Sequence, residues 1–123
     1  MMRMSWVMIA AAAASIVGAP AAAQSVFDGR WSVLIVTEKG TCDRAYRYPV
    51  RIARGRVNHA DPSATSFRIH GRVTAGGSIR VSVSRGNQRA DGTGRLARNN
   101  GNGRWKSSKG ECSGYWNAER RPE

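Results

Sequence analysis

Apolar and polar residues alternate along most of the chain after residue 28, as they do in strands that have one face in a core. In the first such stretch, Gly29–Glu38, the apolar positions run at every second residue from Trp31 to Ile35. A second stretch, Cys42–Ala53, repeats this period from Tyr46 to Ile52. Because no stretch of this part of the chain has a helical period, the pattern predicts an all-β domain.

Further segments continue the pattern, and residues that favour turns separate them. These segments are predicted at Arg56–His59, Thr65–Val73, Ser78–Ser84, Gln88–Leu96, Arg104–Ser107 and Cys112–Arg120. The two Asn-Gly pairs within residues 99–103 predict the turn before the seventh strand, since Asn-Gly is a strong hairpin signal. Short turns join antiparallel neighbours, so the chain is predicted to form a small antiparallel meander of about eight strands.

A Gly-x-Trp pattern opens the first strand and recurs twice near the end of the chain. Glycine has no side chain to block an aromatic ring that lies across a neighbouring backbone. We therefore assign structural roles to Gly29, Trp31, Trp105, Gly114 and Trp116. Closing the meander into a barrel would remove its exposed edges. We expect the first and last strands to pair antiparallel, with Trp31 and Trp116 both pointing inward.

Residues 1–23 have the composition of a secretory signal peptide. Arg3 precedes the apolar run from Trp6 to Val17, and Ala21 and Ala23 have the spacing of a cleavage site. The apolar run is shorter than the roughly 20 residues of a membrane-spanning helix, so we expect no transmembrane segment after cleavage. The alternative is an uncleaved N-terminal anchor. Residues 24–123 are predicted to form a single β-barrel domain, either periplasmic or secreted.

Two cysteines, Cys42 and Cys112, are present. An even number of cysteines in an exported chain predicts a disulfide. No Cys or His stands at metal-ligand spacing near either residue, so a metal-binding thiol pair is the less favoured alternative. A bond between the second and eighth predicted strands is also compatible with closure, because the first strand would then lie between them.

The chain is strongly basic, with 20 Lys and Arg residues against 8 Asp and Glu. Loss of the signal peptide removes only Arg3, which changes the formal net charge from +12 to +11. Basic residues alternate with apolar ones in the strands and are expected to point outward, where they attract polyanions. The alternative is a solvated surface without a partner. The candidate polyanion-binding residues are Arg47, Arg51, Arg68, Arg72, Arg80, Arg89, Arg95, Arg104 and Lys106.

Residues that commonly take part in catalysis are few. His59 and His70 are the only histidines, and neither Gly-x-Ser-x-Gly nor His-Glu-x-x-His occurs. We therefore expect that the protein is not an enzyme, and we assign no metal and no cofactor. A haem-binding role would need an axial ligand, for which His59, His70, Tyr46 and Tyr48 are the candidates.

Several segments together resemble a group of small exported proteins from α-proteobacteria. They are the signal peptide, Gly-Arg-Trp-Ser-Val at 29–33, the segments at 42–50 and 112–120, Gly-Thr-Gly-Arg-Leu at 92–96 and Gly-Arg-Trp at 103–105. Some members are labelled as haem-utilisation or adhesion proteins, which implies a role of that kind. The first Gly-x-Trp, with Arg120 and Arg121 at the end of the chain, is also similar to the calycin barrels, lipocalin-like and avidin-like. That similarity implies a barrel with an internal ligand.

Three functional hypotheses follow. The first is a non-enzymatic exported barrel that associates with an anionic envelope component or another polyanion through its arginines. The second is a carrier of a small ligand, haem included, in which Gly92 and Gly94 face the interior. The third is a periplasmic enzyme inhibitor that presents the loop at Asp61–Pro62 to an acidic target. We expect a monomer in each case.

Overall fold

The computed structural model describes residues 26–61, 63 and 67–123. Each strand pairs with the next one in sequence, and the last pairs with the first, so that the sheet closes into an antiparallel barrel. The predicted all-β meander and its closure are confirmed. The strands are β1 (Gly29–Lys39), β2 (Ala45–Ala53), β3 (Arg56–His59), β4 (Arg68–Val73), β5 (Ser78–Arg85), β6 (Gln88–Leu96), β7 (Asn100–Ser107) and β8 (Ser113–Arg121).

The barrel closes between β1 and β8. These strands are antiparallel, with Val33 opposite Ala118 and Ile35 opposite Trp116. Trp31 and Trp116 both belong to the core, where they are 1% and 6% exposed. The predicted pairing of the two Trp-bearing strands, with both rings inward, is therefore confirmed.

The core is most completely buried at one end of the barrel, where β1 begins and β8 finishes. We call this the closed end. Ile52, Val57 and Leu96 are buried there. Phe27, which precedes β1, is also buried, and its carbonyl accepts a hydrogen bond of 2.8 Å from the indole N–H of Trp31. The chain before β1 thus helps to cover the closed end.

A disulfide lies at the opposite end, which we call the open end because the inward side chains there are less buried. It joins Cys42, in the β1–β2 connection, to Cys112, which immediately precedes β8. The two Cα atoms are 6.2 Å apart, although 70 residues separate them in sequence. The predicted disulfide is confirmed, and β1 lies in the wall between the two strands that it links.

Glycines in β6, β7 and β8 lie beside the indole rings of adjacent strands. Trp105 is opposite Gly92 on one side and Gly114 on the other, and Trp116 is opposite Gly103. A Cβ atom on Gly103 would approach Cε2 of Trp116 to 2.7 Å. The Gly-x-Trp pattern therefore reflects packing between neighbouring strands, because the glycines of one strand leave space for the indole rings of the next.

The connection between β6 and β7 differs from the sequence prediction. It consists of residues 97–99, and the N–H of Ala97 donates to the carbonyl of Asn100 at 2.6 Å. Both Asn-Gly pairs lie inside β7, which begins four residues before its predicted start. A Cβ on Gly101 or Gly103 would meet a core side chain. Packing of large side chains against these glycines therefore outweighs the local turn preference.

Among the described residues, no helix is long and apolar enough to cross a membrane. The predicted signal peptide, residues 1–23, lies outside the described residues, as do residues 65 and 66 at the predicted start of the fourth strand.

Candidate functional site

The interior of the barrel contains a cavity of about 230 Å³, which we call the lumenal cavity. Its lining becomes more exposed toward the open end, from Trp31 at 1% to Tyr46 at 41%. The lining is almost entirely apolar. It consists of Trp31, Val33, Ile35, Tyr46, Tyr48, Val50, Ile52, Val57, Phe67, Ile79, Val81, Val83, Arg85, Ala90, Asp91, Gly92, Leu96, Trp105, Trp116 and Ala118.

Three tryptophans contribute to this lining, and each uses its polar atom within the protein. The indole N–H groups donate to backbone carbonyls, Trp31 to Phe27 at 2.8 Å, Trp105 to Val36 at 3.0 Å and Trp116 to Thr93 at 3.2 Å. These rings therefore offer only carbon surface to the cavity. A molecule beside them would be held by dispersion and by ring–ring contact.

An aromatic cluster lies in and beside the cavity wall, toward the open end. The ring of Phe67, just before β4, is 6.0 Å from Tyr46, 5.5 Å from Tyr48 and 5.1 Å from His59, each in edge-to-face geometry. Tyr46 and Tyr48 are themselves 5.7 Å apart. Edge-to-face contact is a favourable arrangement of aromatic rings. The cluster therefore holds the rings of Tyr48 and Phe67 in defined positions beside the cavity.

The hydroxyl of Tyr48 has no hydrogen-bond partner among the residues that the structure describes, although the side chain lines the cavity and is only 8% exposed. Buried tyrosine hydroxyls usually have a partner, and the loss of one costs about 1–3 kcal/mol. Burial, followed by the neighbouring Tyr46, raises the pKa of Tyr48 to about 12. At neutral pH the phenol is therefore protonated and is an unused hydrogen-bond donor beside the cavity.

Charged residues reach the cavity lining at two positions. Asp91 forms an ion pair with Arg89 at 3.1 Å. Arg85 ends β5 and follows Val81 and Val83 at alternate positions, so it lies on the inward face at the open end. Arg85 is therefore at the rim, whereas Asp91 alternates with the cavity-lining Ala90 and Gly92 and also lines the outer wall.

All nine predicted polyanion-binding residues are exposed, but they do not share one face. Arg47 and Arg51 are on β2, Arg68 and Arg72 on β4, Arg80 on β5, Arg89 and Arg95 on β6, and Arg104 and Lys106 on β7. In a closed barrel the outward side chains of these strands point in different directions around the axis. Carboxylates pair with several of them, Glu123 with Arg51, Asp91 with Arg89 and Glu38 with Arg104. The predicted set therefore surrounds much of the barrel.

A smaller group of arginines does converge. Arg56 on β3 lies opposite Arg72 on β4, and Arg72 lies opposite Arg80 on β5. We call these three the arginine row. All are exposed, and within the described part of the chain none of them is paired with a carboxylate. Arg56 was missing from the predicted set, although Gly55-Arg56-Val57 has the same Gly-Arg-apolar order as Gly71-Arg72-Val73, which contains the predicted Arg72.

The arginine row borders a shallow groove of about 630 Å³ on the outer wall. Shorter polar side chains, among them Asn58, His70 and Ser82, also line this groove, as does Asp91, whose carboxylate is paired with Arg89. Long cationic side chains thus stand beside short hydrogen-bonding ones, which is an arrangement suited to an oxyanion.

The two glycines that were expected to face the interior differ. Gly92 lines the lumenal cavity, and a Cβ atom there would be 3.4 Å from Nε1 of Trp116, an ordinary contact. A Cβ atom on Gly94 would be 2.6 Å from Cζ2 of Trp116. Gly94 also faces the core, but the Trp116 ring already fills the space beside it, so Gly94 is not part of the cavity lining.

The other candidate residues do not assemble into a site. No group of three or more His, Cys, Asp or Glu side chains within residues 26–61, 63 and 67–123 is suited to hold a metal ion. His59 accepts a hydrogen bond at Nδ1 from the N–H of Asp61 at 3.0 Å, and His70 is exposed on the outer wall. The predicted inhibitor loop is only partly described, since Pro62 is not among the described residues.

No family model matches the chain, and no curated protein matches it. A solved structure described as that of a redesigned beta barrel is similar, with a TM-score of 0.52 and 14% sequence identity. The similarity covers 80% of this chain and 93% of that one. At this identity it shows the fold alone, so the chain is a closed eight-stranded β-barrel whose function has to be argued from its cavity and its surface.

Proposed function

We propose that the barrel binds a small aromatic molecule in its lumenal cavity and carries it outside the cytoplasm. The observation that carries this proposal is the cavity of about 230 Å³. An eight-stranded barrel can be filled by its own side chains or can hold one small ligand. Since an empty cavity of this size costs on the order of several kcal/mol, its presence favours the second case.

The lining supports a ligand that is mainly apolar. Trp31, Trp105 and Trp116 use their N–H groups within the protein and offer ring carbons to the cavity. A charged group placed deep among them would lose its hydration without gaining a partner. Flat aromatic molecules fit such a lining, because offset and edge-to-face ring contacts add to the burial of apolar surface.

The volume limits the size of the ligand. A cavity of about 150 Å³ can accept benzene, whereas sites for drug-sized ligands measure about 300–1,000 Å³. A cavity of about 230 Å³ therefore suits a molecule of one or two rings. Haem, one of the ligands considered from the sequence, is too large for this space.

The disulfide supports a site of action outside the cytoplasm. The bond between Cys42 and Cys112 persists in an oxidising compartment, such as the periplasm or the extracellular medium. The proposal involves binding by a monomer and no catalysis.

Titration with the neutral fluorescent probe 1-naphthylamine tests the proposed function. We expect saturable binding of one probe per barrel, with a blue-shifted emission from the apolar site. Gly92→Leu, which places a side chain in the cavity, should abolish binding. Gly76→Leu is the matched control, because a Cβ at Gly76 meets nothing within 4 Å.

A second substitution tests whether loss of binding in Gly92→Leu results from misfolding of that variant. Val83→Trp also fills the cavity from β5, and both variants should retain a cooperative thermal transition. Equal binding by the wild type and by both folded cavity variants would show that the probe binds elsewhere and would contradict the proposal.

Association with an anionic envelope or extracellular partner is a second candidate function, and the arginine row favours it. Like charges directly opposite one another on neighbouring strands destabilise a sheet. Arg56, Arg72 and Arg80 are arranged in this way without a carboxylate partner among the described residues. A bound phosphate or sulfate group would neutralise this charge with planar, bidentate hydrogen bonds.

Heparin chromatography separates this candidate from bulk electrostatic attraction. The triple variant Arg56→Gln, Arg72→Gln and Arg80→Gln should elute at a clearly lower salt concentration than the wild type. The control triple variant Arg30→Gln, Arg44→Gln and Arg98→Gln removes the same charge from dispersed exposed positions. Equal shifts for the two variants, or elution of the wild type near the physiological ionic strength of about 0.15 M, would contradict a role for the row.

A further inference from the structure

We infer that Tyr48 selects the ligand of the lumenal cavity by donating a hydrogen bond from its hydroxyl group to a neutral acceptor atom on a small aromatic molecule. The acceptor would be a carbonyl or ether oxygen or a ring nitrogen. This inference rests on the proposed function of the cavity and adds the chemical class of the ligand and the residue that recognises it.

Tyr48 differs from the tryptophans of the cavity lining. The three indole N–H groups are satisfied by backbone carbonyls. The hydroxyl of Tyr48 has no such partner among residues 26–61, 63 and 67–123, although its side chain is 8% exposed. A buried donor that lacks a partner in the protein is costly, and an acceptor on a ligand in the adjacent cavity would remove that cost.

The position of this donor is well defined. The ring of Tyr48 lies 5.7 Å from Tyr46 and 5.5 Å from Phe67, in edge-to-face contact with both. On β2, Tyr48 lies opposite Val33 of β1, so its backbone is held in the closed sheet. A donor fixed in this way loses little freedom on binding, which increases its contribution to selectivity.

The chemistry of the site favours a neutral acceptor. The phenol keeps its proton at neutral pH, because burial raises the pKa of Tyr48 to about 12, so it can donate a hydrogen bond but offers no negative charge to a cation. An anionic group in the deep cavity would be surrounded by apolar side chains. Arg85, a cation of the lining, is at the rim. A carbonyl, ether or ring nitrogen accepts the hydrogen bond without the cost of burying a charge.

Two probes of equal shape test the inference. They are 2-acetylnaphthalene and 2-isopropenylnaphthalene, which differ in having an oxygen or a CH₂ group at the same position. Dissociation constants for the disulfide-bonded protein are measured by quenching of tryptophan fluorescence. Comparing each probe between the wild type and Tyr48→Phe cancels their unequal partition from water. Tyr48→Phe should weaken binding of the carbonyl probe about 5- to 20-fold and leave the hydrocarbon probe within about twofold.

A control variant carries the same chemical change. Tyr115→Phe alters a tyrosine that is absent from the cavity lining. It should keep the preference of the wild type. A second readout needs no variant, because a hydrogen bond donated by a phenol red-shifts its near-ultraviolet absorption. We expect this shift when the wild type binds the carbonyl probe but not when it binds the hydrocarbon probe.

The possible results separate this inference from the proposed function. If Tyr48→Phe weakens both probes equally or neither, or if Tyr115→Phe removes the preference, Tyr48 does not select the ligand, whereas the carrier function stands. Absence of the absorption shift in the wild type would also overturn the inference. If the wild type binds neither of these probes nor 1-naphthylamine, the carrier function fails together with it.

Discussion

The guanidinium carbon of Arg120 lies 4.8 Å from the ring centroid of Trp31, so the cation covers the face of the indole. The two residues are directly opposite one another on β8 and β1, at the closed end. Arg120 also donates hydrogen bonds to the carbonyls of Arg98 at 2.8 Å, Asp28 at 2.7 Å and Val26. A single side chain thus connects the last strand to the chain before β1 and to the β6–β7 connection.

Loss of Arg120 should therefore destabilise the closed end. We expect Arg120→Ala to lower the free energy of unfolding by about 2–4 kcal/mol, since it removes charged hydrogen bonds and a cation–π contact. The neighbouring Arg121→Ala is the control. It removes an exposed ion pair with Glu119 at 3.9 Å, which contributes less than about 1 kcal/mol. Urea denaturation measures both, and equal losses would contradict the role assigned to Arg120.

The disulfide should contribute a large share of the stability of this small barrel. It closes a loop with a sequence separation of 70 residues. The chain-entropy model predicts about 4 kcal/mol for such a loop, and removal of native disulfides typically costs about 2–5 kcal/mol. We expect the double variant Cys42→Ala and Cys112→Ala to melt well below the wild type, at about 4–8 °C for each kcal/mol lost. A reductant should lower the melting temperature of the wild type and leave that of the variant unchanged.

Two glycines on β6 should respond differently to the same substitution. Gly94→Ala places a methyl group against the carbonyl oxygen of Asn102 on β7 and 2.6 Å from Cζ2 of Trp116, so we expect a loss of about 1–3 kcal/mol through overpacking. Gly92→Ala meets its nearest atom, Nε1 of Trp116, at 3.4 Å and should change stability by less than about 1 kcal/mol. Midpoints of chemical denaturation compare the two variants. The same cost at both positions would show that loss of glycine, and not the crowding around Gly94, decides the result.

The pKa of Tyr48 predicts a loss of stability at high pH. Burial, followed by the neighbouring Tyr46, raises this pKa from the model-compound value of 10.0 to about 12 in the folded protein. Between these values the folded state keeps the proton and the unfolded state releases it, so stability falls as pH rises. This contribution to stability is fully present below pH 10, and about 2–3 kcal/mol of it is lost as the pH rises to 12.

Denaturation of the wild type and Tyr48→Phe at several pH values from 9 to 12 measures this contribution. The variant lacks the phenol, so its stability should fall less over this range. Other titrating groups are common to both proteins and cancel in the difference. A constant difference between the two proteins across the range would contradict a raised pKa at Tyr48.

The parts of the fold that local rules determine were predicted correctly. The alternation around Trp31 and around Tyr48 assigns inward positions because the side-chain period of a strand is two. Closure followed from the edges that an open sheet would expose, and the pairing of β1 with β8 followed from the position of Trp116. The prediction of a turn at the Asn-Gly pairs was wrong for a physical reason, because the packing around Gly103 depends on a ring from another strand.

The candidate sites depend on features that a local pattern does not contain. The sequence indicates that Arg56, Arg72 and Arg80 point outward, but their convergence depends on the register of β3, β4 and β5. The lumenal cavity results from the balance between barrel width and the summed side-chain volume. The same balance leaves the hydroxyl of Tyr48 without a partner among the described residues, so a sequence that predicts its burial does not reveal this donor.

Neutralising the middle of the arginine row should stabilise the barrel. Arg72 lies between Arg56 and Arg80 in the cross-strand register, and like charges in this arrangement cost about 0.2–1 kcal/mol for each pair. We expect Arg72→Gln to raise the free energy of unfolding by about 0.5–1 kcal/mol at low salt. The gain should shrink in about 1 M salt, where the Debye length is about 3 Å.

Arg104→Gln is the matched control, because Arg104 forms an ion pair with Glu38 at 2.7 Å. It should lower the stability slightly at low salt, opposite in sign to Arg72→Gln. A loss of stability in Arg72→Gln, or a gain that salt does not reduce, would contradict repulsion within the row. A gain would mean that Arg72 does not serve the stability of the fold, as expected of a residue that serves binding at a cost in stability.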